Sequence, residues 1–506
     1  MGVESVDAHF DVLALDNLID LLVQIKERNG DVGADLLHNN SEFATLEEDL
    51  RMSAKYQSLR QLKPLRMSLR ALLDVTDHHI RRLQNECTPF FHQKGIKSLP
   101  DDILRCVFEA GYESIHHLHG KEADQPSSRF SITLSSVSRH FRQVALGCPR
   151  IWICLSNAMG RDLLALYISR SKNVGLDILI SHEIFREDMS FGVFMDIITQ
   201  ESQRWQIVVL DIDGNADQLS TLCQYRDLQI QRLSELHFFL FSPDERTSRD
   251  ACSILETWHV PHLTHLSVLN CFIPKAAPWS QLHSCTLSFH PIIDENEGDK
   301  WDCYQILLDL HALRMLQSLT LDFYDADQSE IVDRLNTTSL TLQNLNSLII
   351  ILTSCDLANF MPSLFRGLRL PFLSELAVKL NADNSGEFAA ESLLPGANPY
   401  PCLRVINLML STNGTMRLGS FQTKLPSLEH IYIEHFVGRV PPFDGIHPWH
   451  SVCFNECSLE DVDAEGIADM FMRGHKFQTL TLVGCRVAPS CVETLKSCMG
   501  SKLVVV

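Results

Sequence analysis

The stretch LTHLSVLNC (263–271) contains the pattern that decides the fold of this chain. Its apolar positions are Leu263, Leu266 and Val268, and Cys271 follows three residues later. The centre of the stretch alternates between apolar and polar residues, which is the period of a β-strand whose successive side chains point to opposite faces. The stretch therefore predicts a short strand with one apolar face and one face of mixed polarity.

The same pattern recurs along the C-terminal two-thirds of the chain. Close copies are LSELAVKLN (373–381) and FQTLTLVGC (477–485). Looser copies occur at residues 205–213, 233–241, 282–290, 316–324, 345–353, 403–411, 428–436 and 449–457. The second apolar position of the copies falls at residues 208, 236, 266, 285, 319, 348, 376, 406, 431, 452 and 480, so that consecutive copies lie 19 to 34 residues apart and most often about 28.

A repeat of this length corresponds to one strand followed by a helical or irregular return segment. Because a single unit cannot bury its own apolar face, successive units must stack. The array resembles the leucine-rich-repeat family, and this predicts an α/β fold for residues 158–506, an irregular solenoid with a curved parallel sheet. Side chains between the apolar positions would lie on the concave surface, where a protein ligand is favoured over a small molecule. The candidates for this surface are His237, Ser267, Thr286, Thr320, Asn407, Tyr432 and Thr481.

The first 93 residues have the periodicity of helices. LDNLIDLLVQIKE (15–27) ends at an Asn-Gly pair, which is a strong helix breaker. LRMSLRALLDVTDHHIRRLQ (65–84) places its leucines near one stripe, and Pro64 limits its extension backward. Residues 1–93 are therefore predicted to form a helical leader. It either packs on the following domain or provides a helix for dimerisation or for binding a partner.

Composition and charge argue against several classes of function. The formal net charge of −20 would repel nucleic acid and anionic membranes. The 16 cysteines are scattered singly, which is typical of reduced and mostly buried thiols. We find no secretory signal and no apolar run near the about 18 residues needed to span a bilayer. A cytoplasmic or nuclear protein without nucleic-acid or membrane partners is expected.

No recognised catalytic motif is present. GxxxxGK[ST], HExxH and GxSxG are all missing, so we expect neither an enzyme nor a cofactor. Residues 211–222 and 461–472 begin like calcium loops but lack the required glycine or the closing glutamate, which favours turns or helix starts. A structural role is also favoured over a metal site for two further clusters, His116, His117 and His119 in one and His450, Cys453 and Cys457 in the other.

A different pattern lies between the leader and the repeats. LPDDILRCVFEAG (99–111) predicts an amphipathic helix over 100–110, with Pro100 at its first position. A second helix is predicted over 132–146, and CPRIW (148–152) closes the unit. Together with LSSVSRHFRQVALGCPRIW (134–152), these features resemble the F-box, and the whole layout resembles the fungal F-box proteins of the mushroom type. The link at 112–130 is longer than usual, and Phe141 stands where Trp is commoner.

The F-box resemblance implies a three-helix domain over 94–157 that binds a Skp-type adaptor and, through it, a cullin scaffold. Trp152 would brace the fold. In this interpretation the chain is the substrate-recognition subunit of a Skp-cullin-F-box-type ubiquitin ligase, and the repeats bind a protein substrate. The alternative is a non-ligase leucine-rich-repeat scaffold or regulatory protein-interaction module. The implied adaptor contacts are Leu99, Pro100, Ile103, Leu104, Val107, Phe108, Val137, Ser138, Phe141 and Arg142.

Overall fold

The structure is a computed structural model of the 506-residue chain. It describes residues 99–118, 126–182, 189–213, 216–241, 245–271, 281–290, 303–324, 340–354, 364–381, 400–411, 413–460 and 462–506, together with residues 19, 23, 70, 73, 76, 77, 80–83, 279 and 362. The predicted leader lies almost wholly outside the described residues. Its few described positions are helical.

The chain divides into two compact units, residues 1–103 and 104–506. The second unit is built on one parallel sheet of 14 strands, and their order in the sheet is their order in the sequence. The strands are β1 (Cys154–Ser156), β2 (Leu176–Ile180), β3 (Trp205–Ile212), β4 (Glu235–Leu240), β5 (His265–Leu269), β6 (Ser284–Phe289), β7 (Ser318–Tyr324), β8 (Ser347–Thr353), β9 (Glu375–Leu380), β10 (Val405–Leu410), β11 (His430–Glu434), β12 (Ser451–Asn455), β13 (Thr479–Val483) and β14 (Leu503–Val505).

The helices lie before the sheet and in the segments that return from one strand to the next. The α-helices among the described residues are α1 (Asp101–Leu118), α2 (Pro126–Val137), α3 (Arg139–Leu146), α4 (Arg161–Ser171), α5 (Phe191–Ile198), α6 (Ala216–Leu222), α7 (Glu245–Leu255), α8 (Cys303–Leu310), α9 (Gly419–Lys424), α10 (Ala464–Met472) and α11 (Pro489–Met499). In the described ranges, 3₁₀ turns occur at Pro149–Trp152, Thr199–Arg204 and Gly500–Lys502. Two small parallel sheets accompany them, one of Leu340–Thr341 and Leu368–Arg369, the other of Asn413–Thr415, Val437–Arg439 and Ser458–Leu459.

The register of the sheet confirms the repeat predicted from the sequence. The second apolar position of every copy lies opposite that of its neighbours, as in the pairs Leu236–Leu266 and Leu319–Leu348. All of these side chains are buried. Because one residue of each repeat enters the same row, the strands stack with their apolar faces inward. The fold is therefore a leucine-rich-repeat solenoid, as the sequence predicted.

The residues at the end of the repeat pattern satisfy the backbone where the strands stop. Asn270, one residue before the end of its copy and in the left-handed region at φ 54°, donates from its side chain to Leu240 O (3.2 Å) and accepts from His290 N (2.7 Å). Cys485 donates to Phe454 O over 3.2 Å. Buried backbone groups must be paired. This requirement explains the side chains that can form hydrogen bonds at or just before the end of these two copies.

The helical segment before the repeats, from α1 to the 3₁₀ turn at Pro149–Trp152, differs from the prediction in two places. Helix α1 continues to Leu118, beyond the predicted end at 110, and a Cβ on Gly111 would lie only 3.0 Å from the ring of Phe130. Gly111 therefore admits an aromatic ring and does not stop the helix. The single helix predicted over 132–146 is two helices, because Ser138 is extended and caps α3 through a 3.1 Å hydrogen bond from Phe141 N.

The helical segment runs into the sheet without a break. Trp152 is buried, donates from Nε1 to Ala145 O over 2.8 Å, and packs edge-on against Tyr167 of α4 at 4.9 Å. Strand β1 begins two residues later, within the predicted F-box range of 94–157, and pairs in parallel with β2. The first strand of the solenoid is therefore formed by the end of the F-box-like segment.

Candidate functional site

The seven residues predicted for the ligand-binding surface lie in one row across the sheet. The pairs His237–Ser267, Ser267–Thr286 and Thr286–Thr320 are opposite each other on neighbouring strands. Ile349 and Ala377 then continue the row to Asn407. The row ends with Asn407, Tyr432, Cys453 and Thr481 on successive strands. We call this set the central row, since it runs along the middle of the half-exposed face.

Two further rows flank the central row on the same face, and none of their residues is among the seven predicted from the sequence. On one side lie residues two positions later, among them Asp322, Ile351, Lys379 and Met409. The period of a strand could have identified them, because residues two apart share a face. This flanking row is thus apolar at Ile351 and Met409, with the acidic Asp322 and the basic Lys379 beside them.

Histidine and carboxylate pairs lie toward the N-terminal strands. His182 Nδ1 is 2.5 Å from Asp211 Oδ1, and the His182 ring is 4.8 Å from that of Phe241. His237 Nε2 lies 3.8 Å from Glu235 Oε2 within β4. These pairs bring charge and hydrogen-bonding capacity to one end of the open face, which suits a polar protein surface as ligand.

A shallow cavity lies at the start of β7 and β8. It has a volume of about 330 Å³ and is lined by Met315, Gln317, Gln343, Asn344, Asn346 and Phe372. Met315 and Phe372 are exposed apolar side chains. The other lining residues are amides, so the cavity offers hydrogen bonds beside two apolar contacts and no titratable group.

A cluster of potential metal ligands lies at the start of β11 and β12. Ligand atoms of Glu429, His430 and His450 all lie within 4.8 Å of one another. In the sequence, His450 lies close to Cys453 and Cys457. Cys457, however, is fully buried and donates to Ile433 O over 3.4 Å. Aligning the residues just before each strand would have placed Glu429 beside His450, because their backbones are hydrogen-bonded.

The described cysteines are free thiols whose environments differ. Burial, and then the neighbouring Glu109 carboxylate, raises the pKa of Cys148 to about 11. Burial alone raises the pKa of Cys285 to about 12. A hydrogen bond from Cys457 lowers the pKa of Cys485 to about 7. The pKa of Cys485 is thus shifted in the direction that favours the thiolate, opposite to the shifts of Cys148 and Cys285.

The ten residues predicted for adaptor binding separate into exposed and buried groups. Ile103 (49%), Val107 (54%) and Val137 (60%) are exposed, whereas Leu104 (1%) and Phe108 (2%) are buried. Pro100 and Arg142 are exposed, and Leu99, Ser138 and Phe141 are partly exposed. Arg142 Nε donates to Ser135 O over 3.0 Å, and the ring of Phe108 lies 5.1 Å from that of Phe141.

The separation follows from the geometry of α1. Leu104 and Phe108 are four residues apart and share one stripe of the helix, while Ile103 and Val107 form the adjacent stripe. The first stripe is buried and the second is exposed. Leu104 and Phe108 are thus core residues of the chain by itself. Ile132 on α2 is also 40% exposed, although the sequence analysis did not name it.

The two segments that begin like calcium loops form helix starts, as the sequence analysis favoured. Residues 211 and 212 end β3, and α6 begins at Ala216. In the second segment Asp463 caps α10 by accepting from Gly466 N over 2.9 Å. The histidines at 116, 117 and 119 lie outside the side chains that the structure describes. Among the described residues, no helix has the length and apolar character needed to cross a bilayer.

Comparisons with known proteins add little beyond the fold. No protein-family model matches the sequence, and no curated protein is significantly similar to it. One similar solved structure is a TLR13–ssRNA13 complex, with 13% identity over 70% of this chain and a TM-score of 0.30. The chain covers 54% of that protein's length. The Leptospira interrogans leucine-rich-repeat protein LIC12759 has 11% identity over 67% of this chain and 91% of its own, with a TM-score of 0.26. At such TM-scores neither likeness bears on function.

Proposed function

We propose that the chain is the substrate-recognition subunit of a Skp-cullin-F-box-type ubiquitin ligase. The observation that carries the proposal is the exposure of branched apolar side chains on α1 and α2, with Val107 and Val137 each more than half exposed. Aliphatic side chains on a helix are normally directed inward. Their exposure is expected where a partner covers them.

The energetics require a broader contact than these side chains alone. Val107, Ile132 and Val137 are 40–60% exposed, so burying the rest of each would contribute about half of the about 1.5–3 kcal/mol of a whole side chain, or about 2–4.5 kcal/mol in total. Association costs about 4–15 kcal/mol. The adaptor would therefore also have to contact Leu99 and Pro100, where the F-box resemblance begins. Leu104 and Phe108 would contribute by holding the exposed side chains in place.

In this proposal the chain is not an enzyme. It would hold the adaptor and a cullin through the helical segment and a protein substrate on the central row, and ubiquitin would be transferred on other subunits. The half-exposed polar and aromatic residues of the central row support a protein ligand, since they form an extended surface and not a closed pocket. The protein would work in the cytoplasm or nucleus.

The test is co-purification of the full chain with a Skp-type adaptor and a cullin. Val107→Asp and Val137→Asp each place a charge at an exposed apolar position without disturbing the core, and should abolish recovery of both partners. Ile446→Asp is the matched control, because Ile446 is 60% exposed at a distance from these positions in sequence. Leu99→Ala/Pro100→Ala tests the implied start of the contact.

The second candidate is a leucine-rich-repeat scaffold or regulatory module that acts outside a ligase. The central row favours it equally, because that surface is formed by the repeats alone. Adaptor binding without a cullin, or no binding by the wild-type chain, would support the scaffold. Recovery of both partners that is equal in wild type and Val137→Asp would show that these exposed side chains are not the docking surface.

A further inference from the structure

The backbone fixes Glu429, His430 and His450 beside one another. Glu429 immediately precedes β11 and His450 immediately precedes β12, and His450 N donates to Glu429 O over 2.7 Å. His430 is the first residue of β11 and lies opposite Ser451. All three ligand residues are therefore set by adjacent strands of the main sheet, which are more rigid supports than loops.

The side chains converge as well. Their nitrogen and carboxylate atoms lie within 4.8 Å of one another, and the ring centroids of His430 and His450 are 5.8 Å apart. Ser451 Oγ lies 2.7 Å from His430 Nδ1 and so holds that ring. All three residues are partly buried. A hydrogen-bonded neighbour that orients a histidine is a common feature of metal centres.

The Glu429 carboxylate is available for a ligand. In the part of the chain that the structure describes, it takes part in no hydrogen bond or ion pair, although it is not fully exposed. Arg404 precedes β10 in the same ladder and touches Glu429 through the backbone, since Glu429 N donates to Arg404 O over 2.8 Å. A partly buried carboxylate without a partner beside two imidazoles is a typical arrangement for a cation.

We propose that Glu429, His430 and His450 form a binding site for Zn²⁺. Imidazole and carboxylate are ligands that Zn²⁺ prefers, with bonds of about 2.0–2.2 Å. Three protein ligands leave one position of a tetrahedral ion open. Because the site adjoins the central row at Tyr432, the open position could accept a side chain of a bound protein. This inference does not depend on the ligase proposal.

The experiment is titration of the purified, metal-free full chain with Zn²⁺ by calorimetry, in wild type and in Glu429→Gln, His430→Ala and His450→Ala. Each ligand substitution is expected to weaken binding at this site by more than the about 10–100-fold typical of outer-shell partners. His435→Ala is the control. His435 follows β11 and is not part of the cluster, since its Nδ1 lies 3.3 Å from Glu456 Oε2. Circular dichroism checks that each variant is folded.

Substitution with Co²⁺ identifies the ligands independently. A site of two histidines and one carboxylate should give visible absorption without a thiolate charge-transfer band. That band would instead assign the ion to cysteines such as Cys453 or Cys485 and overturn the proposal. So would the lack of saturable Zn²⁺ binding, or binding that is equally tight in His450→Ala and in wild type. Loss of Zn²⁺ binding with intact adaptor binding would leave the proposed function untouched.

Discussion

Trp152 joins the helical segment to the solenoid, and its replacement should destabilise both. The side chain is 1% exposed, donates to Ala145 O over 2.8 Å and packs against Tyr167 at 4.9 Å. Truncation of a buried Trp to Ala costs about 3–5 kcal/mol because it leaves a cavity. Trp152→Phe should cost less. Trp152→Phe removes the hydrogen bond from Trp152 Nε1, worth about 0.5–1.5 kcal/mol, and some side-chain volume. Ala145 O stays paired, because Cys148 N also donates to it.

Urea unfolding followed by far-ultraviolet circular dichroism measures the change in the free energy of unfolding. Hydrogen exchange shows where the protection is lost, and we expect the loss in α3, β1 and α4 together. Phe372→Ala, at an exposed aromatic residue, should stay within about 0.5 kcal/mol of wild type. If Trp152→Ala costs less than about 1 kcal/mol, or if α3 alone loses protection, the helical segment and the solenoid are not one cooperative structure.

Three further predictions concern the core, pH and a thiol. Leu348→Ala should cost about 2–5 kcal/mol in urea unfolding, whereas Thr320→Ala on the open face should cost about 0.5 kcal/mol or less; equal costs would contradict the assigned faces. Burial lowers the pKa of His447 in the folded chain. The stability that neutral His447 contributes is therefore complete above the unfolded pKa of about 6.5. This stability is lost as the pH falls below that value, by up to about 1.4 kcal/mol per pH unit. His447→Phe should flatten the dependence of the urea midpoint between pH 7.5 and 5.5, and an unchanged slope would refute the assignment. Because its pKa is lowered to about 7, Cys485 should react with iodoacetamide at pH 7.5 faster than the exposed Cys498, as mass spectrometry of the peptides can determine.

The regular part of the solenoid could be predicted from the sequence because one residue in each repeat has the same environment. Leu266, for example, is apolar and buried like its counterparts on both neighbouring strands. The terminal strands β1 and β14 were missed. Each has only three residues, CLS and LVV, and neither carries the full repeat pattern, so only pairing with β2 and β13 makes it a strand.

The candidate sites were less predictable, because they depend on which elements face each other. Helical spacing groups Leu104 and Phe108 with Val107, but packing against Phe141 and the rest of the core decides which stripe is buried. Glu429 and His450 are 21 residues apart in sequence, and only the strand register brings them together. A local motif search cannot detect such a pair.

Because β1 continues directly from the helical segment, each strand of the sheet lies a fixed number of strand spacings from that segment. Parallel strands are about 4.7–4.9 Å apart, so the central row advances by that step from one strand to the next. From His237 on β4 to Thr481 on β13 there are nine steps, or about 43 Å along the row. A partner that binds at β4 would therefore lie much closer to Trp152 than a partner that binds at β13. Gain or loss of one repeat would change the distance between Trp152 and the bound partner by one strand spacing, without altering the residues that contact the partner.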